Sequence, residues 1–154
     1  MAIISLWLVA APVFQDIHVS KFKAMNKNFP DDKYPMQEET YAIINTCMEV
    51  HRTLGRGFLE IVYKDAIEHE FRLRNIFYER ERLFRIEYKG IILPHSYYAD
   101  FVVFGQVILE VKAQTGIADE QYKQILNYLA VSKCKVGLLI NFGEDSLKWK
   151  RVIM

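Results

Sequence analysis

Between Gln37 and Leu54 the apolar positions fall three and four apart. Ile43, Ile44, Cys47, Met48, His51 and Leu54 make one stripe, which predicts a helix. Gly55-Arg56-Gly57 ends it. A second helix is predicted over 59–74, burying Leu59, Val62, Tyr63, Ala66, Ile67 and Phe71, with Asn75 as its C-terminal cap. The period then drops to two: Phe84, Ile86 and Tyr88 alternate with Arg85 and Glu87, as in a half-buried strand. Lys89-Gly90 turns the chain into a short strand over 91–93, which Pro94 is expected to stop. Strands follow over 98–104 and 107–112, helical spacing returns over 119–131, and strands over 136–140 and 149–153 close the chain.

This order, α-α-β-β-β-β-α-β-β, predicts a mixed α/β (α+β) domain in which helices flank a central mixed sheet. It occupies residues 37–154. Residues 1–36 stand apart as an N-terminal extension and linker: 2–14 are almost wholly apolar, and 15–36 are polar, aperiodic and interrupted by Pro30 and Pro35. The apolar run is shorter than the ~20 residues a membrane span needs, and no Lys or Arg precedes it as in a signal peptide. A segment packed on the domain, an oligomer contact and a stretch read from an early start codon all remain open for it.

Composition narrows the function classes. The 154 residues are 51% hydrophobic and 25% charged, as in a globular protein that needs no disulfides. Two cysteines, Cys47 and Cys134, are too few for an iron–sulfur cluster or an all-cysteine zinc site, and fit reduced thiols in the cytoplasm. No pair among His18, His51, His69 and His95 has zinc spacing. A net charge of +1 excludes a global basic footprint, so nucleic-acid affinity must come from local patches or a metal.

The informative stretch is Ala99-Asp100-Phe101-Val102-Val103 followed by Ile108-Leu109-Glu110-Val111-Lys112. Alternation puts Glu110 and Lys112 on one face of a strand apolar enough to be central. Buried charges cost several kcal/mol per ion unless paired or metal-bound. Register makes the idea refutable. In a regular ladder Asp100 opposes Glu110 across a three-residue loop, 104–106, in which Gly105 could supply a left-handed conformation. A two-residue Gly105-Gln106 turn would put the carboxylates on opposite faces unless a bulge intervenes. Converging carboxylates of Asp100 and Glu110, with the backbone carbonyl of Val111, make a hard oxygen site for Mg2+ or Mn2+. Lys112 would orient the attacking water or stabilise developing charge. The bland alternative is a Glu110–Lys112 ion pair on an exposed sheet face.

Asp…Glu-x-Lys on a hairpin resembles the PD-(D/E)XK nuclease superfamily. Gly57-Phe58-Leu59-Glu60-Ile61-Val62-Tyr63 matches the signature for which its GxxExxY family is named, preceded by Val50-His51 and Leu54-Gly55. Gln124-Ile125-Leu126-Asn127-Tyr128-Leu129 and Val136-Gly137-Leu138-Leu139-Ile140-Asn141-Phe142-Gly143 resemble later segments. The likeness runs from 37 to 154, with Ala99 where the superfamily usually has proline. It implies a restriction-endonuclease-like αβββαβ core and Mg2+-dependent phosphodiester cleavage of nucleic acid. It also implies that Glu60 reaches toward the metal and that Gln124 approaches from the later helix.

Against that stand structural readings. Glu60 would be a helix-start residue paired with Lys64; Tyr63 and His51 are read as core, and Gln121, Gln124 and Tyr128 as a polar helix face from which the resemblance singles out Gln124. Arg80, Arg82, Arg85, Lys133, Lys135, Lys148, Lys150 and Arg151 are the candidates for phosphate contacts. The competing functions are a catalytically silent nucleic-acid- or protein-binding module of the same fold, and an enzyme acting on a small phosphate.

Overall fold

The structure, a computed structural model, describes residues 35–154; the apolar run and most of the linker lie outside the described residues. Helix α1 (Gln37–Leu54) buries Ile43, Cys47 and Val50, and Gly55 caps it by donating to the His51 carbonyl at 2.8 Å. Helix α2 (Glu60–Leu73) buries Tyr63, Ile67 and Phe71. It ends where the sequence places the cap. Asn75 is left-handed at φ 53°, its N–H donates to the Arg72 carbonyl, and the Ile76 N–H reaches back to Phe71 at 2.9 Å.

Strands β1 (Tyr78–Tyr88), β2 (Ile91–Val103), β3 (Val107–Lys112), β4 (Val136–Asn141) and β5 (Lys148–Ile153) form one sheet in chain order. Only β3 and β4 run parallel, and helix α3 (Asp119–Ser132) joins them. Both are buried along nearly their whole length, as befits central strands covered on two faces. On one face α1 and α2 pack on Phe101, Val103, Leu109, Val111, Leu138 and Ile140. On the other, Ile125, Tyr128 and Leu129 of α3 pack on Val102, Ile108 and Leu139. At Gly137 on β4 an added Cβ would lie 2.2 Å from Ile125 Cγ2, so this glycine lets α3 approach the sheet.

Three expectations are corrected. Leu59, expected on the buried face of α2, precedes the helix as its N-cap and is 75% exposed. Pro94 does not stop a strand: β2 is continuous from Ile91 to Val103, so the sheet has five strands. The proline falls in a register shift of the β1–β2 ladder, between the pairs Arg85↔Ser96 and Glu87↔Ile92, where no N–H is required. Strand β1 also starts earlier, at Tyr78, through a stretch with no apolar alternation. There the inward polar groups face α2: Arg80 pairs with Glu68 and Asp65, and Tyr78 donates to Glu68. Ion pairs replace the hydrophobic period.

Candidate active site

The β2–β3 hairpin pairs Phe101 with Leu109, Val102 with Ile108 and Val103 with Val107, which leaves the three-residue loop 104–106. Phe104 and Gly105 take left-handed conformations in it. This is the register that sets Asp100 opposite Glu110. At that level the ladder stops and side chains take over. The Asp100 N–H donates to Glu110 Oε1 at 3.2 Å, and the Val111 N–H donates to Asp100 Oδ2 at 2.8 Å.

The backbone is distorted on both neighbouring strands at this level. Ala99 and Phe101, two apart, should share a face. Ala99 instead packs in the cluster under α3, and Phe101 in the cluster under α1 and α2. Across from Asp100 on β1, Glu81 is left-handed at φ 51° and drops out of the ladder between Arg80↔Phe101 and Arg82↔Ala99. The Arg80 guanidinium lies over Phe101 and that of Arg82 over Phe84, so β1 changes face at the same point. The paired distortion turns Glu81 and Asp100 toward Lys64 of α2, whose ammonium binds Glu81 Oε1 at 2.8 Å and Asp100 Oδ1 at 2.9 Å.

Glu110 is only 2% exposed. Burial, followed by the charge of Asp100, pushes its carboxyl up to about 8, against the opposing pull of the Asp100 N–H, Lys112 and Lys64. The Lys112 ammonium stands 3.8 Å from Glu110 Oε2. Burial alone would lower the Lys64 pKa, but its hydrogen bonds to Glu81 and Asp100 outweigh that and raise it. Across the site on α3, Gln124 Nε2 donates to the Tyr128 hydroxyl at 2.9 Å, which donates to the Tyr98 carbonyl at 2.9 Å. Burial and then the charge of Glu110 push the Tyr128 phenol up to about 12. Asp100 and Glu110, with Lys64 and Lys112, thus meet where β2 and β3 part, with Glu81 of β1 on the far side of Lys64, and the exposed-face ion-pair reading of Glu110 and Lys112 is excluded by burial.

A family model described as the PD-(D/E)XK nuclease superfamily matches residues 37–152. The chain belongs to the PD-(D/E)XK nuclease superfamily. No curated protein matches it. Among solved structures, the one titled "Crystal structure of SSO0001" superposes with a TM-score of 0.50 at 13% identity, covering 91% of this chain and 77% of that one. That likeness concerns the fold. The five-stranded mixed sheet with helices on both faces is the restriction-endonuclease-like core of the superfamily, and membership points to nuclease activity on nucleic acid.

PD-(D/E)XK nucleases generally use divalent metals, and the donor set here fits one in part. Asp100 and Glu110 are adjacent hard oxygen donors, and Glu110 is buried where its charge needs a counter-charge. The third carboxylate does not join them. Among the described residues no group of three or more Asp, Glu, His or Cys side chains gathers to hold an ion. Glu60 sits in the first turn of α2, and the pairing with Lys64 expected of a surface helix is absent, because Lys64 is engaged by Glu81 and Asp100. The α1–α2 loop beside Glu60 does share a cleft with the segment after Lys112, lined by Phe58, Leu59, Ala113, Gln114 and Gly143.

Sequence reasoning missed Lys64 and Glu81. Lys64 lies one helical turn beyond Glu60, but its partner Glu81 sits on a strand whose face-switch leaves no periodic trace. Tyr128 was legible only as a polar helix face. Of the phosphate candidates, Arg80 and Arg82 are tied to Glu68, Asp65 and Glu79. Lys150 lies over the Tyr122 ring, and Arg151 binds the Pro35 carbonyl. His51 and Tyr63 are structural. His51 Nε2 meets the Glu144 carbonyl at 2.9 Å, and Tyr63 stacks on Phe142 while its hydroxyl donates to the Gly55 carbonyl.

Proposed function

We propose that this chain is a cytoplasmic nuclease of the GxxExxY family that cleaves phosphodiesters of nucleic acid with Mg2+ or Mn2+. The observation that carries the reading is Glu110, almost fully buried next to Asp100, where the two can both be carboxylates at neutral pH only with a cation between them. Asp100 and Glu110, with the Val111 carbonyl, are the residues that would hold the ion, and Glu60, which does not gather with them in this structure, would add a third carboxylate only by approaching from the start of α2. When bound, the ion would activate water and neutralise charge on the scissile phosphate.

The protein's own groups do the rest in this reading. The Val111 N–H fixes one oxygen of Asp100, so the carboxylate is oriented before substrate arrives. Lys112, 17% exposed at its side chain, presents an ammonium to the phosphate and to charge developing on it. Tyr128 holds Gln124 by its amide nitrogen, leaving the amide oxygen to accept from a water or ribose hydroxyl.

Calorimetric titration of the wild type and Glu110→Ala with Mn2+, beside cleavage assays on single- and double-stranded substrates, tests this. Binding and cleavage are both expected to vanish in Glu110→Ala. Asp100→Ala is expected to cut cleavage on the order of a hundredfold or more while nucleic-acid binding persists. The second reading is the silent binding module. The Lys64 ammonium on Asp100 favours it, since a charge needing neutralisation already has a partner. A well-folded wild type that binds nucleic acid but no metal would establish that reading.

A further inference from the structure

Lys64 has two acceptors where one would balance its charge. Its ammonium, on a side chain 14% exposed, lies within 2.9 Å of Asp100 and 2.8 Å of Glu81. Glu81 reaches it through a left-handed backbone that a glutamate adopts only at some cost, at the level where both strands switch face. A structural ion pair with Asp100 alone would need none of this. An ammonium on Asp100 Oδ1 and a divalent cation on the same carboxylate repel each other. One must give way, and Glu81 offers the ammonium somewhere to stay.

We infer that Lys64 is an exchangeable counter-ion of the metal site, resting on Asp100 in the metal-free protein and retreating onto Glu81 when a divalent cation takes that carboxylate. The inference rests on the proposed metal-binding role of Asp100 but not on any cleavage. Lys64 is a positioning residue in it, and Glu81 is its holder. The metal-free site stays ordered because Asp100 is never left without a cation. The metal-bound site avoids a buried, unpaired ammonium because Glu81 keeps it.

The test follows amine labelling at Lys64 and the Mn2+ dissociation constant together. Lys64 is acetylated in the wild-type protein with and without saturating Mg2+ and quantified by mass spectrometry against the other lysines. Loss of the Asp100 contact is expected to raise its labelling severalfold when Mg2+ is added, with surface lysines such as Lys133 unchanged. By calorimetry Lys64→Met is expected to bind Mn2+ about tenfold more tightly. Glu81→Gln, which keeps the side chain's size, is expected to bind it more weakly, and Lys64→Arg to stay near wild type. Mn2+ binding by the wild type with Lys64 labelling indifferent to Mg2+, or weaker binding by Lys64→Met, would overturn the exchange and leave the metal site standing. Absence of Mn2+ binding from the wild type and Lys64→Met alike would sink both. Binding by Lys64→Met but not by the wild type would support Lys64 as the competitor.

Discussion

At the scale of single residues, Glu110 carries the sharpest consequence. Its ordinary value is 4.5, and in the fold it is pushed up to about 8 by burial and by Asp100. Between those values the native protein binds a proton that the unfolded chain has released. Stability is therefore fully present below the ordinary value, falls as pH rises through the window, and levels off above about 8. The groups facing Glu110 are Asp100, Lys112, Lys64 and Tyr128, and the Asp100 N–H and the two lysines oppose the shift. Urea unfolding of the metal-free protein is expected to show a loss on the order of 3 kcal/mol between pH about 5 and about 8. Glu110→Gln should flatten most of that slope and be the more stable protein at the alkaline end. An unchanged slope in the variant would assign the pH dependence elsewhere. The sequence showed Glu110 and Asp100 because acidic residues inside apolar strands are conspicuous. It hid Lys64 and Glu81, since a lysine on a helix and a glutamate among charged neighbours look like solvated surface.

Elements were legible to the extent that their period is hydrophobic. The stripes of α1 and α2 and the apolar runs of β3 and β4 gave those segments away, and the loop 104–106 followed from requiring Asp100 and Glu110 to face each other. The first half of β1 was not legible, because Arg80 and Tyr78 are satisfied by Glu68 on α2 rather than by burial. Nor was the junction after β4. Asn141 is fully buried, donating to the carbonyls of Gln114 and Gly116 and accepting from the N–H groups of Gln114 and Gly143. It staples the β3–α3 loop to the end of β4. Gly143 completes the staple, as an added Cβ would lie 2.2 Å from the Gln114 carbonyl oxygen and 2.4 Å from its nitrogen. Both contacts are backbone, so no rotamer change relieves them. Gly143→Ala is expected to cost about 2–3 kcal/mol in chemical unfolding. It should also weaken Mn2+ binding, because Gln114 follows Lys112 by two residues on the chain. Full retention of stability would show that the loop yields freely and that the staple does not set the position of Lys112.

At the scale of the whole molecule, charge balance bears on how nucleic acid would be held. The chain has 20 basic and 19 acidic residues, so attraction to phosphate has to come from local cations. Many of those are already spent in ion pairs: Arg52 with Glu49, Arg56 with Asp145, Arg74 with Glu70, and Arg80 and Arg82 as above. Exposed pairs of this kind are weak individually, yet each must be broken before its cation can move to a phosphate. Every neutralised phosphate releases condensed counter-ions and steepens the salt dependence by about 0.9 per contact on duplex DNA. With these arginines tied up among the described residues, the salt dependence is expected to be shallow, with a log–log slope of magnitude about 2–4. Filter binding of catalytically disabled Asp100→Ala across a salt series would measure it. Removing Arg85, which extends from β1 on the hairpin carrying Asp100, should lower the slope by about 1 if it is one of those cations. A slope of magnitude about 8 or more would mean that the intramolecular pairs open on binding. In that case the near-neutral surface would be a latent basic one.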